Sequence, residues 1–116
     1  MKQEHEDLLR RLALNDEGVL DELLRTTLAG GRPEELDAKS LALVRLAGLI
    51  SVESASASYQ WSVAAALAAG ASDGEIVGVL VALAPIVGTA RVTSAAPDVA
   101  AAVGCDIDVG TSHDTP

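Results

Sequence analysis

Side chains able to do chemistry are few in this sequence. The one cysteine, Cys105, stands near the end beside Asp106 and Asp108, and the two histidines, His5 and His113, lie close to the ends. Thiol redox chemistry needs one thiolate to attack and a second thiol to resolve the sulfenic acid. A single thiol beside carboxylates, which oppose its ionisation, fits an incidental tail residue better than a redox or cross-linking one. A metal ion needs convergent His, Cys or carboxylate ligands. Asp106, Asp108, His113 and Asp114 would hold a divalent ion only loosely, and a solvated tail accounts for them better. Gly30-Gly31 lacks the strand and helix that make a phosphate-binding loop. No metal and no cofactor is expected.

A denser polar group lies mid-chain. Ser54, Ser58 and Ser62 are four apart and share one face of a helix, with Tyr59, Gln60 and Trp61 among them. One reading is a pocket lined by Ser58, Tyr59, Trp61 and Ser62, with Glu53 at its rim. The other is helix packing: small residues allow close approach, serine hydroxyls bond back to the preceding turn, and Tyr59 or Trp61 anchors an interface. The packing reading carries more weight. A serine nucleophile has no base within sequence reach. Arg91 is the only basic residue after Arg45. It is expected to pair with Glu53 or Asp98 of the same or a neighbouring subunit, the alternative being an anionic ligand.

The elements that position these residues read as helices. Phe is absent, aromatics are 2% of the chain, and Ala, Leu and Val dominate the apolar set. Ala and Leu favour helix, whereas sheets draw on β-branched and aromatic residues. Apolar periodicity predicts helices over about 4–14, 16–29, 38–52 and 53–69, a fifth from Ile76 to Pro85 and a sixth over about 88–103 weakened by Pro97. Asp37 is a candidate N-cap, Ser72 with Glu75 has the capping-box spacing, and Gly30-Gly31 followed by Pro33 marks a break. From these the chain reads as one helical domain over 1–104 and a disordered acidic tail over 105–116.

The net charge is −9, with eight basic residues against seventeen acidic ones. That disfavours nucleic acid, which needs clustered cations, and an anionic membrane surface. No apolar leader is visible at Met1–Glu6, so a cytoplasmic location is the default expectation. The charges are uneven: residues 1–45 carry seventeen of twenty-five, and residues 46–104 only Glu53, Asp73, Glu75, Arg91 and Asp98. The most apolar run, Ile76–Ala90, is interrupted by Pro85 and Gly88 and falls short of the roughly 20 residues of a membrane span. Packing against other subunits is the better account of so few charges.

Between Leu36 and Gly88 a family resemblance emerges. Leu36-Asp37-Ala38-Lys39-Ser40, then Ala65-Ala66-Leu67-Ala68-Ala69-Gly70-Ala71-Ser72 with Glu75-Ile76-Val77, then Ala84-Pro85-Ile86-Val87-Gly88, resemble in order and spacing the carboxymuconolactone decarboxylase / alkylhydroperoxidase-like domain. The resemblance covers about residues 36–95. It implies an all-α fold, a compact helical bundle around a helical hairpin, and assembly into a homotrimer or homohexamer. It would also place a Cys-x-x-Cys at Ala55 and Ser58, a histidine at Ser62 (in the peroxidase and decarboxylase branches alike) and a proton-relay glutamate near Ala42 or Leu43. None of those catalytic residue types stands at these positions.

The sequence therefore points first to a non-catalytic oligomeric binding or scaffold protein. The alternatives are a thiol-independent decarboxylase- or isomerase-like enzyme or binder of a small organic molecule, and peroxidase activity by homology alone.

Overall fold

A computed structural model describes residues 1–31 and 33–107. Among these residues the chain is all-α, with six helices and no strand: α1 Gln3–Ala13, α2 Glu17–Leu28, α3 Ala38–Ser51, α4 Ser56–Ala68, α5 Asp73–Val87 and α6 Thr89–Val103. Most of the acidic tail expected from the sequence, residues 108–116, lies outside the described residues. No described helix is long and apolar enough to cross a membrane.

The helices begin where side chains satisfy free backbone N–H groups. The Asp16 carboxylate accepts from the N–H of Gly18 at 2.9 Å and of Val19 at 3.4 Å. Asp37 accepts from Ser40 N–H at 2.7 Å. Ser72 Oγ accepts from Glu75 N–H at 3.0 Å while the Glu75 carboxylate accepts from Ser72 N–H at 2.9 Å, the reciprocal pair of a capping box. Lys39 Nζ adds a 3.0 Å ion pair to Glu75, tying the first turn of α3 to that of α5. The Ser72 backbone bond, with Lys39 second, holds the Glu75 carboxyl below its ordinary range.

Two boundaries differ from the periodicity. The fourth helix starts at Ser56 rather than 53, because Glu53 takes a left-handed φ of 55° just past the end of α3 and the chain must turn before it can re-enter a helix. Helix α5 continues past Pro85 to Val87 and ends at Gly88, whose φ of 93° and ψ of 148° suit only glycine. Pro97 does not interrupt α6. It forfeits one backbone bond, while Ala95 and Val99 on either side are buried at 1% and 2% exposure and hold the helix in place.

Contacts divide the chain into two units, Met1–Glu35 and a second beginning at Leu36. The first is a helical hairpin of α1 and α2 in which Val19 is buried and Leu9, Leu14, Leu24 and Leu28 are exposed. The second packs α4 against α6 and α3, and α5 against α6 and α3. Its core is Leu46 and Ile50 from α3, Tyr59, Val63 and Ala66 from α4, Ala71 and Ile76 around the start of α5, and Ala95 and Val99 from α6. The spacings of three and four put each set on one stripe of its helix. With alanine at three of these positions the helix axes come close, and no polar or charged residue is buried among the described residues.

Two stability outcomes follow. Ile76→Ala empties a fully buried site and should cost about 2–4 kcal/mol, against little for Val81→Ala on the exposed side of the same helix; urea unfolding compares them. Because the Glu75 carboxyl is held down in the folded state, its contribution is present above the ordinary carboxylate pKa and lost as pH falls through the lowered folded value. Acid titration of stability should therefore be shallower in Glu75→Gln than in the parent chain.

Candidate functional site

The residues singled out by the sequence sit at the start of α4 and across the turn that precedes it. Ala55 is the N-cap residue of α4, Ser58 lies in its first turn and Ser62 one turn further; both serines are half-buried. Ser54 precedes the helix and so does not extend their stripe.

Helical geometry separates the two aromatics. Two residues along a helix are about 200° apart around its axis, so Tyr59 and Trp61 cannot share a face. Tyr59 is turned into the core at 4% exposure, and Trp61 stands outward at 83%. The Tyr59 hydroxyl donates to Leu49 O at 3.4 Å, a carbonyl near the C-terminus of α3 that also accepts from Ser54 N–H at 3.2 Å. The structure thus places Tyr59 among core residues and not at an opening.

Trp61 instead borders a shallow depression with Ala57, Ser58, Gln60 and Ala64. All five belong to α4. Of the expected pocket residues only Ser58 and Trp61 reach it, while Ser62 and Tyr59 do not line it. Ala57, Gln60 and Ala64 were not singled out in the sequence. Their signal was available: Ala57, Trp61 and Ala64 recur at intervals of four and three, with Gln60 beside them, which is one helical face.

Arg91 and Glu53 find each other. Arg91 Nε lies 3.9 Å from Glu53 Oε1, and Arg91 Nη1 donates to the carbonyl of Ser51, the last residue of α3. A cation at a helix C-terminus satisfies an orphan carbonyl and complements the negative end of the helix. From α6, Arg91 thereby pins the α3–α4 turn at the place where Glu53 adopts its left-handed conformation. Both side chains are about half exposed, so the pair itself contributes little beyond this placement.

Catalytic groups do not converge on α4. Ala42 and Leu43 are packed against the core and carry no carboxylate to relay a proton. Cys105 is exposed just beyond α6, where its N–H donates to Ala100 O at 2.8 Å and Gly104 N–H donates to Ala101 O at 3.2 Å. Those two bonds make the glycine-centred close of a helix, so Cys105 has a backbone role in ending α6. His5 belongs to the other unit, bonded to Glu35. Among the described residues no three His, Cys, Asp or Glu side chains come together as metal ligands. His113 and Asp114, with Asp108, lie outside the described residues. The carboxyls held below their ordinary range are Asp16, by its bond from Arg11, Glu35, by its bond from His5, and Glu75, all at caps or ion pairs away from α4.

No family model, curated protein or solved structure matches this chain.

The opposed roles of the two aromatics can be measured. Tyr59→Ala should lower stability by about 3–5 kcal/mol through the cavity it leaves. Tyr59→Phe, which removes only the hydroxyl and its bond, should cost about 0.5–1.5 kcal/mol. A Tyr59→Ala variant as stable as the parent in denaturant would remove Tyr59 from the core.

Proposed function

We propose that this chain is a non-catalytic, self-associating helical protein of the carboxymuconolactone decarboxylase / alkylhydroperoxidase-like type, serving as an oligomeric binding or scaffold protein. The observation that carries the reading is Trp61: the only tryptophan of the chain stands 83% exposed on a helix with no charged residue. Val44, Val77, Val81 and Ile86 of the same unit are also exposed. Contacts with further copies would cover these apolar side chains of α3, α4 and α5, and closed symmetry is the rule for homo-oligomers. Homotrimeric or homohexameric assembly, with Trp61 near an interface, accounts for both the surface and the scarcity of charge over residues 46–104.

The absence of the catalytic set supports the non-catalytic part of the reading. Ala55, Ser58 and Ser62 occupy the positions where the resemblance would put two thiols and a histidine, and nothing around them supplies a nucleophile with its base. A second reading is favoured by the depression beside Trp61. Ser58 and Gln60 offer hydrogen-bonding groups next to an indole face, a combination suited to a small organic molecule.

Light scattering at micromolar concentration decides between assembly and a free monomer. The expected result is a mass several times 11.8 kDa. Ala65→Glu and Trp61→Glu should shift it towards the monomer while helix content is retained, because a charge at an interface loses water without gaining a partner. A monomeric parent chain overturns the proposal.

The chemistry has its own test. With a thiol reductant the protein should consume alkyl hydroperoxide no faster than buffer. Turnover that disappears in Cys105→Ser would make the terminal thiol catalytic and overturn the non-catalytic assignment.

A further inference from the structure

His5 is half-buried, and its Nε2 lies 3.0 Å from Glu35 Oε1. The contact joins the first turn of α1 to the last residue of the Met1–Glu35 unit, thirty residues on. Among the described residues the other side-chain bonds of that unit are local: Gln3 to Asp7, Arg10 to Glu6 and Asp7, Arg11 to Asp16, Thr26 to Glu22 O, and the Asp16 cap. Apolar closure is slight, since Val19 is the only buried residue of this unit among the described residues and the leucines of α2 are all more than a third exposed. Among the described residues, His5–Glu35 is thus the side-chain hydrogen bond that closes the hairpin end to end.

Among the described residues the charged groups around it are few. Glu4 approaches His5 Nε2 at 4.0 Å from the same helix, Glu35 comes from the segment after α2, and Lys2, at the N-cap of α1, acts on Glu35. Both near neighbours of the imidazole are carboxylates, so its protonated form is the better partner. Histidine is the side chain whose ordinary titration falls between about pH 5 and 8.

We propose that His5 and Glu35 form a pH-sensitive latch on the N-terminal helical hairpin, closed by a charged pair in mildly acidic medium and weakened as the imidazole loses its proton. The pair carries opposite charges while the imidazole holds its proton, and without that proton it keeps a hydrogen bond but no ion pair. The bond from His5 holds the Glu35 carboxyl below its ordinary range, so the carboxylate persists further towards acid. A partly exposed pair is a small lever, worth about a two- to fivefold change in the open population. It acts on a hairpin with so little buried surface that a small lever is felt, and release of the latch separates two leucine-bearing helices.

Hydrogen exchange of the full chain tests this, with α1 and α2 amide rates divided by random-coil rates at each pH. Protection in the parent chain should fall two- to fivefold from pH 5.5 to pH 8, while the amides of α5 keep theirs. His5→Gln and Glu35→Gln should each abolish that fall. An equal fall in the variants, no fall in the parent chain, or α1 amides exchanging at random-coil rates at both pH values would each overturn the latch.

Discussion

Helix α4 lies against both α3 and α6, and the unit from Leu36 onwards depends on how closely those three can approach. Val63 and Ala66 of α4 are fully buried, and Ala95 and Val99 of α6 are nearly so. Short side chains at these positions bring the helix axes together, and many small dispersion contacts replace the bulk that aromatic residues supply in other cores. Tyr59 is the exception. Its ring fills the space at the start of α4, and its hydroxyl adds a second donor to the Leu49 carbonyl of α3, which also accepts from Ser54 N–H. In a core this small, the loss of a few methyl groups is a large fraction of the whole, because interiors packed to crystal density relax poorly.

The polar side chains of this unit follow from that arrangement. Several of them sit at helix ends, while Arg45, Gln60, Ser62 and Asp98 lie along helix sides. Asp37, Ser72 and Glu75 cap N-termini, Lys39 links two of those first turns, and Arg91 closes the C-terminus of α3. At the ends, charge meets unsatisfied backbone groups and the helix dipole, so each residue has a local partner. The outward sides of α4 and α5 are left with Trp61, Val77, Val81 and a run of alanines. The same economy of charge that lets the core close leaves these faces without charged groups, which is the basis of the self-association proposed above.

Much of the fold was legible in the sequence because its signals are local. The number and order of the helices came from apolar spacing, and the caps at Asp37 and Ser72 from residue type alone. The failures also have local causes. Glu53 reads as a helix former, yet its left-handed backbone sets the α3–α4 turn, a conformation that no propensity scale assigns to glutamate. Pro97 was read as weakening the sixth helix without ending it, and α6 does run through it, because burial of its neighbours outweighs one missing backbone bond. At the candidate site, charge alone left Arg91 a choice between Glu53 and Asp98, and the structure sets it 3.9 Å from Glu53. Tyr59 and Trp61 were grouped because both are aromatic and near in sequence, although helical geometry puts them on opposite sides.

The sequence by itself determined that the described chain is helical, where its helices cap, and that thiol-pair chemistry has no residues to run on; each rests on residue type and short-range spacing, which a linear chain states directly. Only the tertiary structure decided which face of α4 turns inward. That choice depends on α3 and α6 closing over Val63 and Ala66, contacts between residues far apart in the chain. It sends Tyr59 into the core, leaves Trp61 beside Ala57, Gln60 and Ala64 at the surface, and brings Arg91 to the carbonyl of Ser51, forty residues away.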